Sequence, residues 1–252
     1  MKPNRIVIAA DYEGMSREAA ALIDAAVRTA PALVLALPTG ETPIGTYRAL
    51  VALHRETGTD WSRVTTFNLD EYCDTGPDDP QSYAAYMGQH LFGGVNLRPA
   101  RTHLPDGTAR DAAAEAARYE QAIDAAGGLD LAVLGVGVNG HIGFNEPAAA
   151  LTAESHVAAL ADETWRRNFP GLAGDAAAAA SGRYRRAFTM GIGTILRARR
   201  IVLLGAGGSK REVLERAFRG PVTTQVPASL LRLHGDVTLV LDEAAAAPGL
   251  RR

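Results

Sequence analysis

The residues best suited to move a proton are a histidine and a glutamate that lie five positions apart. His141 and Glu146 belong to the glycine-rich run at residues 135–147. A histidine can give or take a proton near neutral pH, and a nearby carboxylate can hold its ring in one orientation. The pair therefore predicts acid–base chemistry, with a surface histidine beside an unrelated acid as the alternative.

Two further acids, Asp70 and Glu71, directly follow an apolar stretch at residues 64–69. Burial at the end of a strand raises the pKa of a carboxyl group, which suits a general base. A helix cap or a solvated turn is the alternative use of these residues. We predict that one of the two carboxylates is a general base.

The same four side chains are also possible ligands of a metal ion. Against this, the sequence has no His-x-x-x-His or His-x-His spacing, and Cys73 is its single cysteine. Zinc and related metals are usually held by such spacings. The turns described next favour an anion over a cation, so we predict neither a metal nor a cofactor.

Two turns have the composition of an anion-binding site. The first consists of Thr39, Gly40, Glu41 and Thr42, followed by Pro43. The second consists of Gly207, Gly208, Ser209 and Lys210. Free backbone N–H groups and the helix dipole attract anions to a helix start. We predict Thr42 as the N-cap and Pro43 as the first residue of a helix, with an ordinary strand-to-helix turn as the alternative.

Lys210 strengthens the prediction of a phosphate-bearing ligand. Of the 26 basic residues, only Lys2 and Lys210 are lysines. A lysine in the first turn of a helix opposes the dipole, which is unfavourable unless an anion lies there. Arginine and lysine are not interchangeable at a phosphate site, so a lysine kept in an arginine-rich sequence indicates a need for an ammonium group.

Residues 135–140 also match the G-x-G-x-x-G pattern of dinucleotide-binding proteins. In those proteins the pattern opens a helix. Residues 141–147 lack a helical spacing of apolar residues and end at Pro147, and no later strand ends in the acidic residue that would bind a ribose. We therefore do not predict a dinucleotide site.

Short apolar runs alternate with helical patterns along the whole chain, which is typical of a parallel sheet covered on both faces. The predicted strands are residues 5–9, 32–36, 64–69, 129–134, 188–191, 200–205 and 237–242. The predicted helices are residues 17–30, 43–54, 81–90, 111–125, 210–218 and 228–233. We expect a single α/β domain over residues 1–252, with a doubly wound, mostly parallel, Rossmann-like sheet and helices on both faces.

In such a sheet, ligands bind where the strands end, so the segments after strands 32–36, 64–69, 129–134 and 200–205 should meet at one rim. Residues 162–186 form the weakest part of the pattern. They contain Gly171, Gly174, Gly182 and an alanine run at 176–180. We expect a mobile helical or loop insertion there.

The composition excludes several classes of protein. With 26 Lys+Arg against 28 Asp+Glu the formal net charge is −2, which argues against a nucleic-acid or membrane-surface partner. One cysteine cannot form an intrachain disulfide, and no apolar stretch approaches the roughly 20 residues of a membrane span. We expect a cytoplasmic monomer or homo-oligomer that acts on a small molecule.

Several motifs resemble those of the glucosamine-6-phosphate deaminase/isomerase family, in the family's order and over most of the chain. They are LPTGET at 37–42, FNLDEY at 67–72, QSY at 81–83, LGVGVNGHIGFNEP at 134–147, TMGIGTIL at 189–196, GSK at 208–210 and PASLLRLH at 227–234. NGHIGFNEP and FNLDEY are the most specific of these.

The resemblance implies an aldose–ketose isomerisation with loss of ammonia, converting glucosamine 6-phosphate and water to fructose 6-phosphate and ammonia. It implies that Asp70 moves a proton between C2 and C1 and that His141 opens the sugar ring. Glu146 and Asn139 would orient His141. The residues implied to bind the sugar phosphate are Thr39, Gly40, Glu41, Thr42, Gly137 and Lys210.

Three positions depart from the family's pattern. Asn139 stands where some members have an aspartate. Trp165 stands where some members have a phosphate-binding arginine, for which Arg166 or Arg167 is a candidate substitute. Glu41 stands where many members have a second glycine, which leaves the sugar epimer open.

Three alternatives stay open. Galactosamine 6-phosphate is the alternative substrate, and lactone hydrolysis by a 6-phosphogluconolactonase is the alternative reaction on this fold. Those lactonases typically carry a DER-type motif where this chain has Asp70, Glu71 and Tyr72. Outside enzymes, the alternative is a sugar-phosphate sensor of transcription regulators, although no helix-turn-helix precedes the first predicted strand.

Overall fold

A computed structural model gives the fold of residue 3 and residues 5–173 and 181–251. Its main feature is a seven-stranded sheet in which every neighbouring pair is parallel. The strands are β1 (Arg5–Ala9), β2 (Val34–Leu37), β3 (Thr65–Asn68), β5 (Thr102–His103), β6 (Leu131–Leu134), β9 (Arg200–Gly205) and β10 (Val237–Asp242). Their order across the sheet is β1-β10-β9-β6-β2-β3-β5.

Helices cover both faces of this sheet. The α-helices are α1 (Tyr12–Thr29), α2 (Ile44–Thr57), α3 (Tyr83–His90), α4 (Ala112–Ala125), α5 (Asp162–Asn168), α6 (Pro170–Ala173), α7 (Ile192–Leu196) and α8 (Arg211–Arg219). Because side chains alternate along a strand, Leu35 packs in one core cluster with α1 and α2, and Ala36 in the other with α4 and α8. The predicted doubly wound, mostly parallel α/β fold is confirmed.

A second, three-stranded sheet was not predicted. It is antiparallel, has the order β4-β8-β7, and consists of β4 (Asp70–Tyr72), β7 (His156–Ala159) and β8 (Arg186–Thr189). The predicted strand 188–191 therefore lies at 186–189, and its assignment to the parallel sheet was wrong. Only Leu69 separates β3 of the large sheet from β4 of the small one, so the chain passes directly from one sheet to the other.

Part of the predicted insertion at residues 162–186 forms ordered helices. Trp165 on α5 is 1% exposed and packs with Phe144, Phe169 and Tyr184 against the small sheet. The alanine run at 176–180, predicted to be mobile, lies outside the described residues. Residues 228–233, predicted as a helix, belong to a 3-10 helix, Pro227–Leu233. Within the described part of the chain, no helix is both long and apolar enough to cross a membrane.

Candidate active site

Four loops follow the carboxyl ends of β9, β6, β2 and β3, which are neighbours in the parallel sheet. Parallel neighbours end at the same edge, so these loops share one rim, as the sequence predicted. Contacts between the loops support this placement. Lys210, after β9, donates through Nζ to the backbone oxygen of Val136, after β6, at 2.7 Å. Thr39, after β2, lies 3.4 Å from Asp70, measured between Oγ1 and Oδ1.

Asp70 is the first residue of β4 and is only 6% exposed. Burial and the neighbouring negative charge of Glu71 raise the pKa of Asp70 to about 8, against the hydrogen bond from Thr39, which lowers it. A carboxyl group with a pKa near the working pH is well matched to taking a proton and giving it back. The position and the electrostatics of Asp70 therefore suit a general base.

Glu71 has a different use, although it belongs to the same acidic pair. Its Oε1 accepts hydrogen bonds from the backbone N–H groups of Tyr72 and Tyr83, and its Oε2 accepts one from Ala84. Tyr83 and Ala84 are the first two residues of α3, so Glu71 caps that helix from a distant part of the chain. The helix-cap alternative thus holds for Glu71, and Asp70 is left as the candidate base.

His141, Glu146 and Asn139 come together on the loop after β6. His141 Nδ1 lies 3.3 Å from Glu146 Oε2, and both side chains are largely buried. Asn139 donates through Nδ2 to the same carboxylate oxygen at 2.6 Å and accepts from the His141 backbone N–H at 3.1 Å. An amide thus bridges the histidine backbone and the carboxylate at the position where an aspartate would place a second charge.

Gly137 allows this loop to close. A Cβ atom on Gly137 would lie 2.3 Å from His141 Cε1 and 2.4 Å from Nδ1, so the imidazole occupies the space of any larger residue. The Gly137 backbone N–H also donates to the His141 backbone oxygen at 3.0 Å. Gly137 thus contacts His141 and also accepts from the Gly140 backbone N–H at 3.0 Å, and its predicted binding of the substrate stays a prediction.

Lys210 lies among charged groups of both signs. Burial and the positive charge of Arg167 lower the pKa of Lys210 to about 8, and the negative charge of Glu41 opposes them. The Arg167 side chain is exposed and makes no hydrogen bond or ion pair with the described residues. Two cations that repel one another at a strand end form a site whose repulsion a bound anion would relieve.

Trp165 cannot take the place of a phosphate-binding arginine. Its ring is buried and its indole N–H donates to the backbone oxygen of Arg183 at 3.0 Å. Arg167, two residues further along α5, is the side chain whose charge reaches Lys210. Of the two substitutes considered from the sequence, the structure favours Arg167 over Arg166.

Tyrosine hydroxyls hold the turn at residues 38–45, and sequence reasoning missed them. Tyr47 donates to the Pro38 backbone oxygen, and Tyr86 donates to that of Gly40. The Tyr12 hydroxyl accepts from the Gly45 backbone N–H at 2.8 Å. No sequence signal links Tyr12 and Tyr86 to this turn, because each lies on a helix more than 30 residues from the amide or carbonyl that it reaches.

The predicted start of α2 was wrong by one residue. The helix begins at Ile44, its N-cap is Pro43, and no side chain of the cap accepts a hydrogen bond. Thr42 is therefore not the N-cap. Instead, the Gly45 backbone N–H donates a hydrogen bond to the Tyr12 hydroxyl. In most helices a side chain of the N-cap residue accepts such a bond.

Two other candidate chemistries have no support at this rim. In the described ranges 5–173 and 181–251, no three His, Cys, Asp or Glu side chains cluster in a way that could hold a metal ion. Cys73 is buried, and burial raises the pKa of its thiol to about 11, which disfavours the thiolate needed in a nucleophile.

Comparisons with known proteins agree with this geometry. A family model described as glucosamine-6-phosphate isomerases/6-phosphogluconolactonase matches residues 12–240. A glucosamine-6-phosphate deaminase of Halothermothrix orenii is 46% identical, with 96% of this chain and 99% of the relative covered. One from Rhodopirellula baltica is 47% identical, with 96% and 94% covered.

Solved structures give the same picture. A structure described as a monomeric glucosamine-6-phosphate deaminase superposes with a TM-score of 0.90 at 39% identity, covering 98% of this chain and all of the other. The 6-phosphogluconolactonase of Trypanosoma cruzi superposes with a TM-score of 0.76 at 21% identity, over 97% of this chain and 96% of the other. The second match shows a shared fold alone.

Proposed function

The chain belongs to the family of glucosamine-6-phosphate isomerases and 6-phosphogluconolactonases, and we propose that it is a glucosamine-6-phosphate deaminase. In this reaction glucosamine 6-phosphate and water give fructose 6-phosphate and ammonia. The observation that carries the proposal is one rim that combines a buried carboxyl group of raised pKa, Asp70, with the His141–Glu146 pair and the cation Lys210.

Ring opening is the first step that the site must promote. The imidazole of His141 takes the proton of the C1 hydroxyl and returns it to the ring oxygen, which leaves an open-chain aldehyde. Glu146, 3.3 Å away, stabilises the imidazolium that forms in between. Asn139 contributes to this by holding the carboxylate oxygen that faces the ring.

Isomerisation follows at C2 and C1. The Asp70 carboxylate takes the proton from C2, which is acidified by the neighbouring aldehyde, while one proton of the substrate's ammonium group passes to the C1 oxygen, which gives an enolamine. Asp70 then delivers its proton to C1, which leaves the nitrogen double-bonded to C2 as an iminium. Water adds to C2, and the nitrogen leaves as ammonia with the carbonyl formed at C2. One carboxyl group can do both transfers because its pKa of about 8 makes proton gain and loss nearly balanced.

Phosphate binding anchors the substrate during these steps. Lys210 supplies an ammonium and Arg167 a guanidinium, and Thr39, Gly40, Glu41 and Thr42 form the turn beside them. A doubly charged phosphate is the natural ligand for two repelling cations. The negative charge of Glu41 acts on Lys210. We therefore propose that Glu41 contacts Lys210 or sugar hydroxyls, and that the two cations bind the phosphate oxygens.

We propose a small-molecule sugar phosphate as the substrate. A cytoplasmic location and a monomeric or homo-oligomeric state stay predictions. Deaminase activity is favoured over lactone hydrolysis because the deaminases reach 40–47% identity over 96% of this chain. The lactonase structures lie between 15% and 23%.

Ammonium release tests the proposal. Purified protein is mixed with glucosamine 6-phosphate, galactosamine 6-phosphate or 6-phosphogluconolactone, and ammonium and ketose phosphate are measured. We expect ammonium and fructose 6-phosphate in equal amounts from the glucosamine ester, with no loss of rate in EDTA. Lactone hydrolysis without ammonium from either amino sugar would refute the proposal, and binding without turnover would favour a sensor.

A further inference from the structure

We propose that Thr164, on α5, is a positioning residue that fixes the Glu146 carboxylate so that its second oxygen faces His141. The proposal rests on the proposed function, because it assigns a role in the same ring-opening step. It concerns a helix in the segment that the sequence suggested was an insertion, and a side chain that none of the motifs contains.

The contacts define the carboxylate on both sides. The Thr164 hydroxyl donates to Glu146 Oε1 at 2.5 Å, and Asn139 Nδ2 donates to Oε2 at 2.6 Å. Hydrogen bonds to different oxygens prevent the carboxylate from rotating about its last bond. Oε2 is therefore held at 3.3 Å from His141 Nδ1, the distance at which it can stabilise a charged ring.

Helix α5 is itself anchored to the rest of the fold, which fixes the backbone position of Thr164. The buried Trp165 donates to the Arg183 backbone oxygen, and Asn168 donates to the Tyr72 hydroxyl at 3.0 Å. Thr164 is 6% exposed, and its hydroxyl has a carboxylate as its partner. Hydrogen bonds to charged groups contribute more free energy than neutral ones, so loss of this contact should have a large effect on the Glu146 carboxylate.

The groups around Glu146 determine its pKa, so the proposal predicts a change in the pH dependence of the rate. His141 is the titratable group that faces Glu146, while the groups that contact it from α5 and from its own loop, Thr164 and Asn139, do not titrate. Burial alone would raise the pKa of Glu146, but His141, Thr164 and Asn139 together keep it below its usual value. Removing the Thr164 hydroxyl therefore moves the Glu146 pKa upwards.

Two substitutions separate the hydroxyl from the shape of the side chain. Thr164→Val keeps the volume and removes the donor, and Thr164→Ser keeps the donor. We expect Thr164→Val to lower kcat roughly tenfold with KM within about twofold, and to shift the acid limb of the rate profile to higher pH. Thr164→Ser should retain most of the wild-type rate. Thr164→Cys, a weaker donor, replaces the valine variant if that variant does not fold.

A matched control exists elsewhere in the fold. Thr194 donates to Glu120 Oε1 at 2.7 Å and is also buried, but it lies in another hydrogen-bond network. We expect Thr194→Val to change the melting temperature and to leave the pH profile and kcat unchanged. The readout for Thr164 is thereby distinguished from a general loss of packing.

A double-mutant cycle decides whether Thr164 acts through Glu146. In a Glu146→Gln background, Thr164→Val should cause no further loss of kcat. An unchanged pH profile and kcat in Thr164→Val, or full additivity with Glu146→Gln, would overturn the proposal. Absence of ammonium release by the wild-type protein would instead refute the proposed function, so the two failures are distinguishable.

Discussion

Replacing the candidate base should stabilise the protein at pH 8 and slow turnover by orders of magnitude. Asp70→Asn removes a carboxyl group whose pKa burial and the charge of Glu71 raise from 3.8 to about 8. Because the folded-state pKa lies above the unfolded one, ionisation of Asp70 opposes folding. Its favourable contribution is complete below pH 4 and is lost as the pH rises to about 8. An asparagine has no such dependence.

The magnitude follows from the size of the shift. Each pKa unit is worth about 1.4 kcal/mol, so the cost of ionising Asp70 is at most about 4 kcal/mol at pH 7. The new amide has a donor group that the site does not pair, which costs about 1–3 kcal/mol. We expect Asp70→Asn to raise the free energy of unfolding by about 2 kcal/mol at pH 8 and to lower it by about 2 kcal/mol at pH 4.

Urea unfolding at several pH values between 4 and 8.5 measures this difference, beside an ammonium-release assay. General-base catalysis contributes roughly 10²–10⁴-fold, and the turnover of Asp70→Asn should fall by that amount. Asp24→Asn is the matched control, because Asp24 is a buried carboxylate that pairs with Arg28 at 3.1 Å and should lose stability. A stability difference for Asp70→Asn that stays constant from pH 4 to 8.5 would contradict the reasoning.

Three further predictions concern the rim. Gly137→Ala should lower kcat by at least roughly 100-fold, because its Cβ would overlap the catalytic imidazole, whereas Gly135→Ala, whose Cβ would contact nothing, should be nearly neutral in the same assay. Arg167→Ala should raise KM for the sugar phosphate about tenfold, and Arg166→Ala should leave KM unchanged. Raising the pH through about 8 should raise the wild-type KM as Lys210 loses its proton, and Lys210→Arg should have a higher KM at pH 7 but no such rise. A wild-type KM that is flat from pH 7 to 9 would contradict the last of these.

Buried parallel strands were the most predictable part of the fold. The bounds of β1, β9 and β10 match the predicted ranges, because each strand is a largely apolar run; β9 and β10 lie buried inside the sheet, and β1 lies at its edge. The rim was predictable for the same reason, since it follows from where those strands end. Asp70 could be identified because it interrupts an apolar run at such an end.

The small sheet could not be predicted, because its strands come from three distant parts of the chain and pair antiparallel outside the alternating strand–helix pattern. Asp70, Glu71 and Tyr72 form β4 only through pairing with β8, which lies more than a hundred residues away in sequence. The roles of Glu71 as a helix cap and of Thr164 as a partner of Glu146 depend on the same long-range packing. Local sequence carries no record of such contacts.

The single residue between β3 and β4 sets the distance between the two sheets that carry the two halves of the candidate site. Lys210 and the turn at residues 38–45 extend from the parallel sheet, whereas Asp70 begins the antiparallel one. In the proposed reaction a sugar phosphate has to bridge the two sheets, with its phosphate at Lys210 and its C2 hydrogen at Asp70. Leu69, whose backbone oxygen accepts from the Met190 N–H, fixes that span. We expect insertion of one residue beside Leu69 to displace Asp70 from the C2 hydrogen while Lys210 and the turn at residues 38–45 keep their positions.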